Sequence, residues 1–118
     1  MPATTAGGDA GANLGIVATD GEEVVGVALC RLFTDEDHGH GYVDEETPEL
    51  AVAVAERWRG SGLGTRLMEE LADAARAAGF ARLSLSVDHG NPAVRLYERL
   101  GYREVSSDEG GIRMIRDV

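Results

Sequence analysis

Apolar positions along this chain change period several times, and each change marks an element. Leu14–Thr19 reads as a short strand, and Asp20-Gly21 behind it is a hairpin signal. A second apolar run, VVGVALCRLF at 24–33, predicts a strand pairing antiparallel with the first. ELAVAVA at 49–55 alternates as a third strand, and Pro48 limits how far that strand extends backwards. The period then lengthens: Leu63, Leu67 and Leu71 recur every four residues, Ala74, Ala75 and Ala78 extend the stripe, and Arg66, Glu70, Asp73 and Arg76 fall on the polar side. That is an amphipathic helix, with Gly79 as its stop. RLSLSV at 82–87 returns to alternation. Asn91-Pro92 then opens a short helix to about Leu100, closed by Gly101, and YREVSS and GIRMIRDV form a last strand pair. The order is β-β-β-α-β-α-β-β. It predicts a mixed α/β fold, with a mostly antiparallel central sheet and flanking helices.

Ahead of these elements, MPATTAGGDAGAN is small, rich in Gly and Ala and without periodicity. Residues 1–13 are therefore expected to be a disordered tail, and residues 14–118 a single domain. A chain of 118 residues suits one core. It shows neither a membrane-spanning apolar run nor a basic and apolar leader, so a cytoplasmic location without membrane attachment is expected. A single cysteine, Cys30, within an apolar run reads as a core residue, and no Cys/His spacing suits a metal.

Charge narrows the partners. The net charge is −10, and all eleven basic residues are arginines, which argues against a nucleic-acid surface. Asp35, Glu36, Asp37, Asp44, Glu45, Glu46 and Glu49 form an acidic segment with no basic residue among them. It reads either as a solvated loop or as a rim that attracts a cationic substrate. His38 and His40 in the same segment read as solvated loop residues.

The stretch that carries chemistry is WRGSGLGT, 58–65, between the third strand and the long helix. A phosphate loop of the Gly-x-x-x-x-Gly-Lys type is excluded because the chain has no lysine. A dinucleotide fingerprint fails on spacing, since the glycines stand at 60, 62 and 64 and position 65 is Thr. A diphosphate cradle of the form Arg/Gln-x-x-Gly-x-Gly/Ala fits Arg59, Gly62 and Gly64. Free N–H groups at a helix start favour an anion, and missing β-carbons let it approach. The plain alternative is a flexible connection that holds nothing.

Together, LAVAVAERWRGSGLGTRLMEEL and LSLSVDHGNPAVRLYERLGY resemble the two long motifs of the GNAT N-acetyltransferase superfamily, in the family's order, over about residues 14–118. The resemblance implies acetyl-CoA as co-substrate. It implies that the backbone of Val52, Ala53 and Val54 pairs with the pantetheine arm. It further implies that Arg59, Gly60, Ser61, Gly62, Leu63, Gly64 and Thr65 form the diphosphate loop and that Asn91 contacts the cofactor, a role that competes with plain N-capping. Tyr97 corresponds to the tyrosine that protonates the leaving thiolate. Its alternative is a core position, since Val94, Tyr97 and Leu100 share a helix face. The implied reaction is direct attack of an amine of a small molecule or protein on the thioester, with an oxyanion donor near Val54. Glu49, with Glu46 beside it, is the candidate base.

Members of that superfamily begin with a strand and two helices that wall the acceptor site, and here only the tail stands in that place. The expected consequences are an open acceptor site, a homodimer whose partner closes it over an exposed edge at 14–19, or a catalytically weak CoA-binding module or truncated regulatory relative.

Overall fold

A computed structural model of the chain describes residues 2–9, 13–33, 36 and 42–118. Strands β1 (Ala3–Asp9), β2 (Asn13–Asp20), β3 (Glu23–Arg31) and β4 (Glu49–Val54) precede a short 3-10 turn at Glu56–Trp58 and helix α1 (Leu63–Ala77). Then come β5 (Arg82–Val87), α2 (Ala93–Arg99), β6 (Arg103–Asp108) and β7 (Gly111–Asp117). The strands form one seven-stranded sheet in the order β1-β2-β3-β4-β5-β7-β6, antiparallel except between β4 and β5. The predicted mixed, mostly antiparallel α/β fold is present, with one more strand at its start.

That strand is β1, and it corrects the expectation of a disordered tail over 1–13. Ala3 to Asp9 pair with Thr19 back to Asn13. The segment lacks bulky residues, so its order comes from backbone pairing and from a clasp on α1. Thr4 Oγ1 donates to Glu70 Oε1 at 2.7 Å, and Arg66 Nη1 donates to the Pro2 carbonyl at 2.7 Å. The Arg66–Glu70 pair, one helical turn apart, holds both partners in place. The edge expected to lie bare at 14–19 is therefore covered by β1, and that argument for a dimer falls. Only residues 10–12 separate β1 from β2 in the chain.

Register explains the core. Ile16 faces Ala28, Ala18 faces Gly26, and Val52 and Val54 face Ala28 and Gly26 across β3 and β4. This face takes the leucine stripe of α1, where Leu63, Leu67 and Leu71 are fully buried. Small residues in the sheet make that fit. A β-carbon on Gly26 would stand 2.9 Å from Leu67 Cδ1 and 3.3 Å from Leu63 Cδ2. On the opposite face, neighbouring positions Leu29, Ala51 and Ala53 are exposed, Leu29 to 44%.

Gly26→Val should overfill this seam and destabilise the protein by roughly 1–3 kcal/mol, read as a lower urea midpoint at unchanged slope. Parental stability would show that α1 does not rest against this strand.

Candidate functional site

The site begins with the one parallel contact of the sheet. β4 and β5 meet at a single register pair, Glu49 opposite Ser84. Ser84 is fully buried, and both its N–H and its Oγ donate to the Pro48 carbonyl, at 3.0 and 3.4 Å. Beyond that pair the two strands part. The Pro48 carbonyl points at β5, so alternation turns the N–H and C=O of Val52 and Val54 towards the gap as well. The intervening residues turn to β3, as the bond from Ala55 N–H to the Val25 carbonyl at 2.8 Å confirms. Of the three β4 residues expected along a cofactor arm, Val52 and Val54 present backbone groups to the gap. Ala53 does not, because the strand alternates.

The gap opens into a cleft of about 380 Å3, lined by Val54, Trp58, Arg59, three glycines (60, 62 and 64), Thr65, Leu96 and Arg99. The loop keeps its shape through its own bonds. Trp58, Arg59 and Ser61 donate their N–H groups to Ala55, Glu56 and Trp58 carbonyls at 2.8, 3.1 and 3.3 Å. Ser61 Oγ also bonds the Trp58 carbonyl and receives the Leu63 N–H at 3.3 Å. The N–H of Ser61 is thus committed inside the loop, against the expectation that every amide from 60 to 65 is available. Those of Gly60, Gly62, Gly64 and Thr65 are not taken by backbone acceptors among the described residues. Gly60 and Gly62 have φ of 76° and 89°, a region that other residues seldom adopt. Gly64 is different: it lies in the first turn of α1, and its missing β-carbon leaves 3.6 Å to Val54 Cγ2. In front of the loop, Arg57 forks onto Glu23 at 2.6 and 3.0 Å and ties the 3-10 turn to β3.

Two arginines and an indole complete the cleft. Arg59 and Arg99 have no carboxylate partner among the described residues, so a cationic wall stands in an acidic chain. Trp58 Nε1 is buried and lacks a hydrogen-bond acceptor there. Sequence reading missed Trp58, Leu96 and Arg99 as lining residues. The signal available for the last two was their i, i+3 spacing on one face of α2.

Tyr97 projects from the same helix and is half-buried. Its ring meets Tyr102 edge-on, with centroids 6.2 Å apart and planes at 67°. Burial raises the Tyr97 phenol above its ordinary value of 10, so it stays protonated at neutral pH. Tyr102 is shifted up further by its deeper burial and is only 3% exposed. Of the two, Tyr97 is the one with access to solvent.

Asn91 does not line the cleft. It borders a separate hollow with Arg95, Glu98 and Ile112, and its Oδ1 accepts the Ala93 N–H at 2.9 Å. The capping role read from the sequence is the one the geometry displays. Glu49 is half-buried at the junction where β4 and β5 meet, opposite Arg31 on β3.

The acidic segment is only partly described. Asp35, Asp37, His38 and His40 lie outside the described residues. Asp44 is engaged in structure, binding Arg82 at 3.1 Å and the Glu46 N–H at 2.9 Å. Burial alone would raise its carboxyl. Hydrogen bonds from Thr47 and Glu46, with the Arg82 charge, outweigh that and hold it below the usual aspartate value. No described helix is long and apolar enough to cross a membrane.

Comparison with known proteins agrees with this geometry. The PaiA N-acetyltransferase of Thermoplasma acidophilum, solved in complex with coenzyme A, superposes with a TM-score of 0.74 at 15% identity, over 91% of this chain and 62% of that one. The GNAT domain of S. lividans PAT gives 0.80 at 23% identity, over 95% and 64%. At such identities these likenesses show the fold. A mycothiol acetyltransferase of Corynebacterium glutamicum is 34% identical over 93 residues, which are 75% of this chain but 27% of that protein. The chain thus spans about a quarter of that relative's length. Residues 5–102, from within β1 to Tyr102, match the model of the acetyltransferase (GNAT) family, and the chain belongs to that family.

Proposed function

We propose that this chain transfers an acetyl group from acetyl-CoA to an amine. The observation that carries the reading is the cleft where β4 and β5 part. It joins unoccupied first-turn amides, two arginines and an orphaned buried indole N–H at the mouth of a gap lined by β4 backbone groups. These residues suit a diphosphate with an extended amide-bearing arm. The amides of Gly60, Gly62, Gly64 and Thr65 and the Arg59 guanidinium would hold the diphosphate. Val52 and Val54 would pair with the arm inside the gap. From Val54 back to Glu49 the strand covers about 17 Å, so the arm would carry its thioester towards the junction of the strands.

Acetyl-CoA supplies an activated acyl carbon. The chain's own groups then orient it, polarise it and move protons. A β4 N–H in the gap donates to the carbonyl oxygen as negative charge grows there. The amine forms the new C–N bond as the C–S bond breaks, and the Tyr97 phenol gives its proton to the departing sulfur. Glu49, at the junction, receives the proton that the amine loses, directly or through water. The amine belongs to a small molecule or a protein chain, and the acidic residues near 44–49 favour a cationic one. A CoA-binding module without turnover is the competing reading. Its support is the absence of helices between β1 and β2, which leaves Leu29, Ala51 and Ala53 open.

An amine panel assayed for thiol release from acetyl-CoA, alongside calorimetric titration with CoA, separates these readings. Thiol release dependent on an amine supports transfer. Tight CoA binding with no release from any amine supports the module, and absence of binding removes both.

Gly64→Leu tests the cleft cleanly, because position 64 is helical and leucine is a good helix former. The variant should give the parental circular dichroism spectrum and bind CoA at least tenfold more weakly, about 1.4 kcal/mol. A folded variant with parental affinity would place the diphosphate elsewhere.

Tyr97→Phe should lower kcat by roughly 10²-fold with little change in CoA affinity. The raised phenol pKa adds a sign. The acid form of Tyr97 persists past its ordinary value of 10, so loss of this acid should reduce parental kcat only on the alkaline side of that value. The Phe variant should lack that alkaline limb. Parental turnover in the variant would return Tyr97 to a packing role.

A further inference from the structure

The arginines of this chain are not distributed at random among its acids. There are 21 acidic residues and 11 arginines, so a guanidinium without a carboxylate is the exception. Arg57, Arg66, Arg76, Arg82, Arg103, Arg113 and Arg116 each pair with one. Of the remaining four, Arg31 lies over the Phe33 ring at 5.2 Å, and Arg95 borders the hollow on the other side of α2. The last two, Arg59 and Arg99, both line the glycine cleft.

They reach it from different walls. Arg59 is continuous with the loop, so its guanidinium shares a rim with the amides of Gly60 and Gly62. Arg99 comes from the last turn of α2, one turn beyond Leu96, which lines the same cleft. The loop amides and Arg59 are matched to two linked phosphoryl groups, since a helix start contributes only about half a positive charge. CoA carries a further phosphate on its ribose, a monoester with about −1.5 to −2 charge at neutral pH. In a protein of net charge −10, such a group held near the surface without a cation would be repelled. Among the described residues, Arg99 is the other cation lining this cleft.

We propose that Arg99 seats the ribose 3′-phosphate of CoA and makes the site select CoA over its dephosphorylated form. The proposal rests on the acetyl-CoA reading above and adds a residue outside the glycine motif. Guanidinium geometry suits a phosphate monoester, which accepts two parallel N–H donors. The hydrocarbon of Leu96 beside it offers an apolar surface to the attached sugar and base.

The test is calorimetric titration of the parent, Arg99→Gln, Arg59→Gln and Arg95→Gln with CoA and with dephospho-CoA, each variant checked by thermal unfolding. The parent should prefer CoA by at least tenfold. Arg99→Gln should abolish that preference by weakening CoA alone. Arg59→Gln should weaken both ligands together, and Arg95→Gln should change neither. The difference between the ligands should shrink as salt rises, since it is a charge effect. If the parent binds CoA and dephospho-CoA equally, or Arg99→Gln weakens both alike, the seat is not at Arg99. If the parent binds neither, the acetyl-CoA reading itself fails, which is a different result.

Discussion

The structure turns on one short junction. Ser84, buried between β4 and β5, donates from its N–H and its hydroxyl to the carbonyl of Pro48, and the two strands pair only there. β4 starts at this junction, and beyond it the strands diverge, so that the backbone groups of Val52 and Val54 face open space instead of β5. Unpaired main-chain donors and acceptors within a sheet are costly unless water or a ligand meets them. The gap is therefore a consequence of where parallel pairing stops, and the glycine loop sits at its mouth because the chain leaves β4 at that end.

Charge is arranged around the same place. The chain is strongly acidic, and its ion pairs consume most of its arginines, several of them in structural roles. Arg57 fastens the 3-10 turn to Glu23, Arg82 fastens the approach to β4 through Asp44, and Arg66 with Glu70 fastens β1 to α1. Arg59 and Arg99 have no carboxylate partner among the described residues, and the two share one cleft. An anion site here needs no overall positive charge. It needs local donors in a surface that is otherwise repulsive to anions, which sharpens selectivity more than it raises affinity.

The two sheet faces differ in the same economical way. One is filled by the leucine stripe of α1 against Ala28, Gly26 and Val52, small enough in the middle to let the helix come close. The other leaves Leu29, Ala51 and Ala53 exposed beside the junction at Glu49. A base at Glu49 would be approached across this open face, while the glycine cleft lies at the far end of β4.

Much of this was legible in the chain itself. The four-residue leucine period specified α1 and its buried stripe, alternation specified β2 to β5, and the spacing of glycines 60, 62 and 64 behind Arg59 marked the loop, because each is a local pattern. β1 was not legible: ATTAGGD has no apolar alternation, and its order depends on β2 and on side chains more than sixty residues away. Nor could spacing tell that Ala53 turns its backbone to β3, that Ser61 commits its N–H within the loop, or that Asn91 caps a helix away from the cleft. Those outcomes depend on which partner a strand or loop meets. Arg99 is the clearest case. In the sequence it is one arginine of eleven, and only the packing of α2 brings it to the cleft that Arg59 also lines.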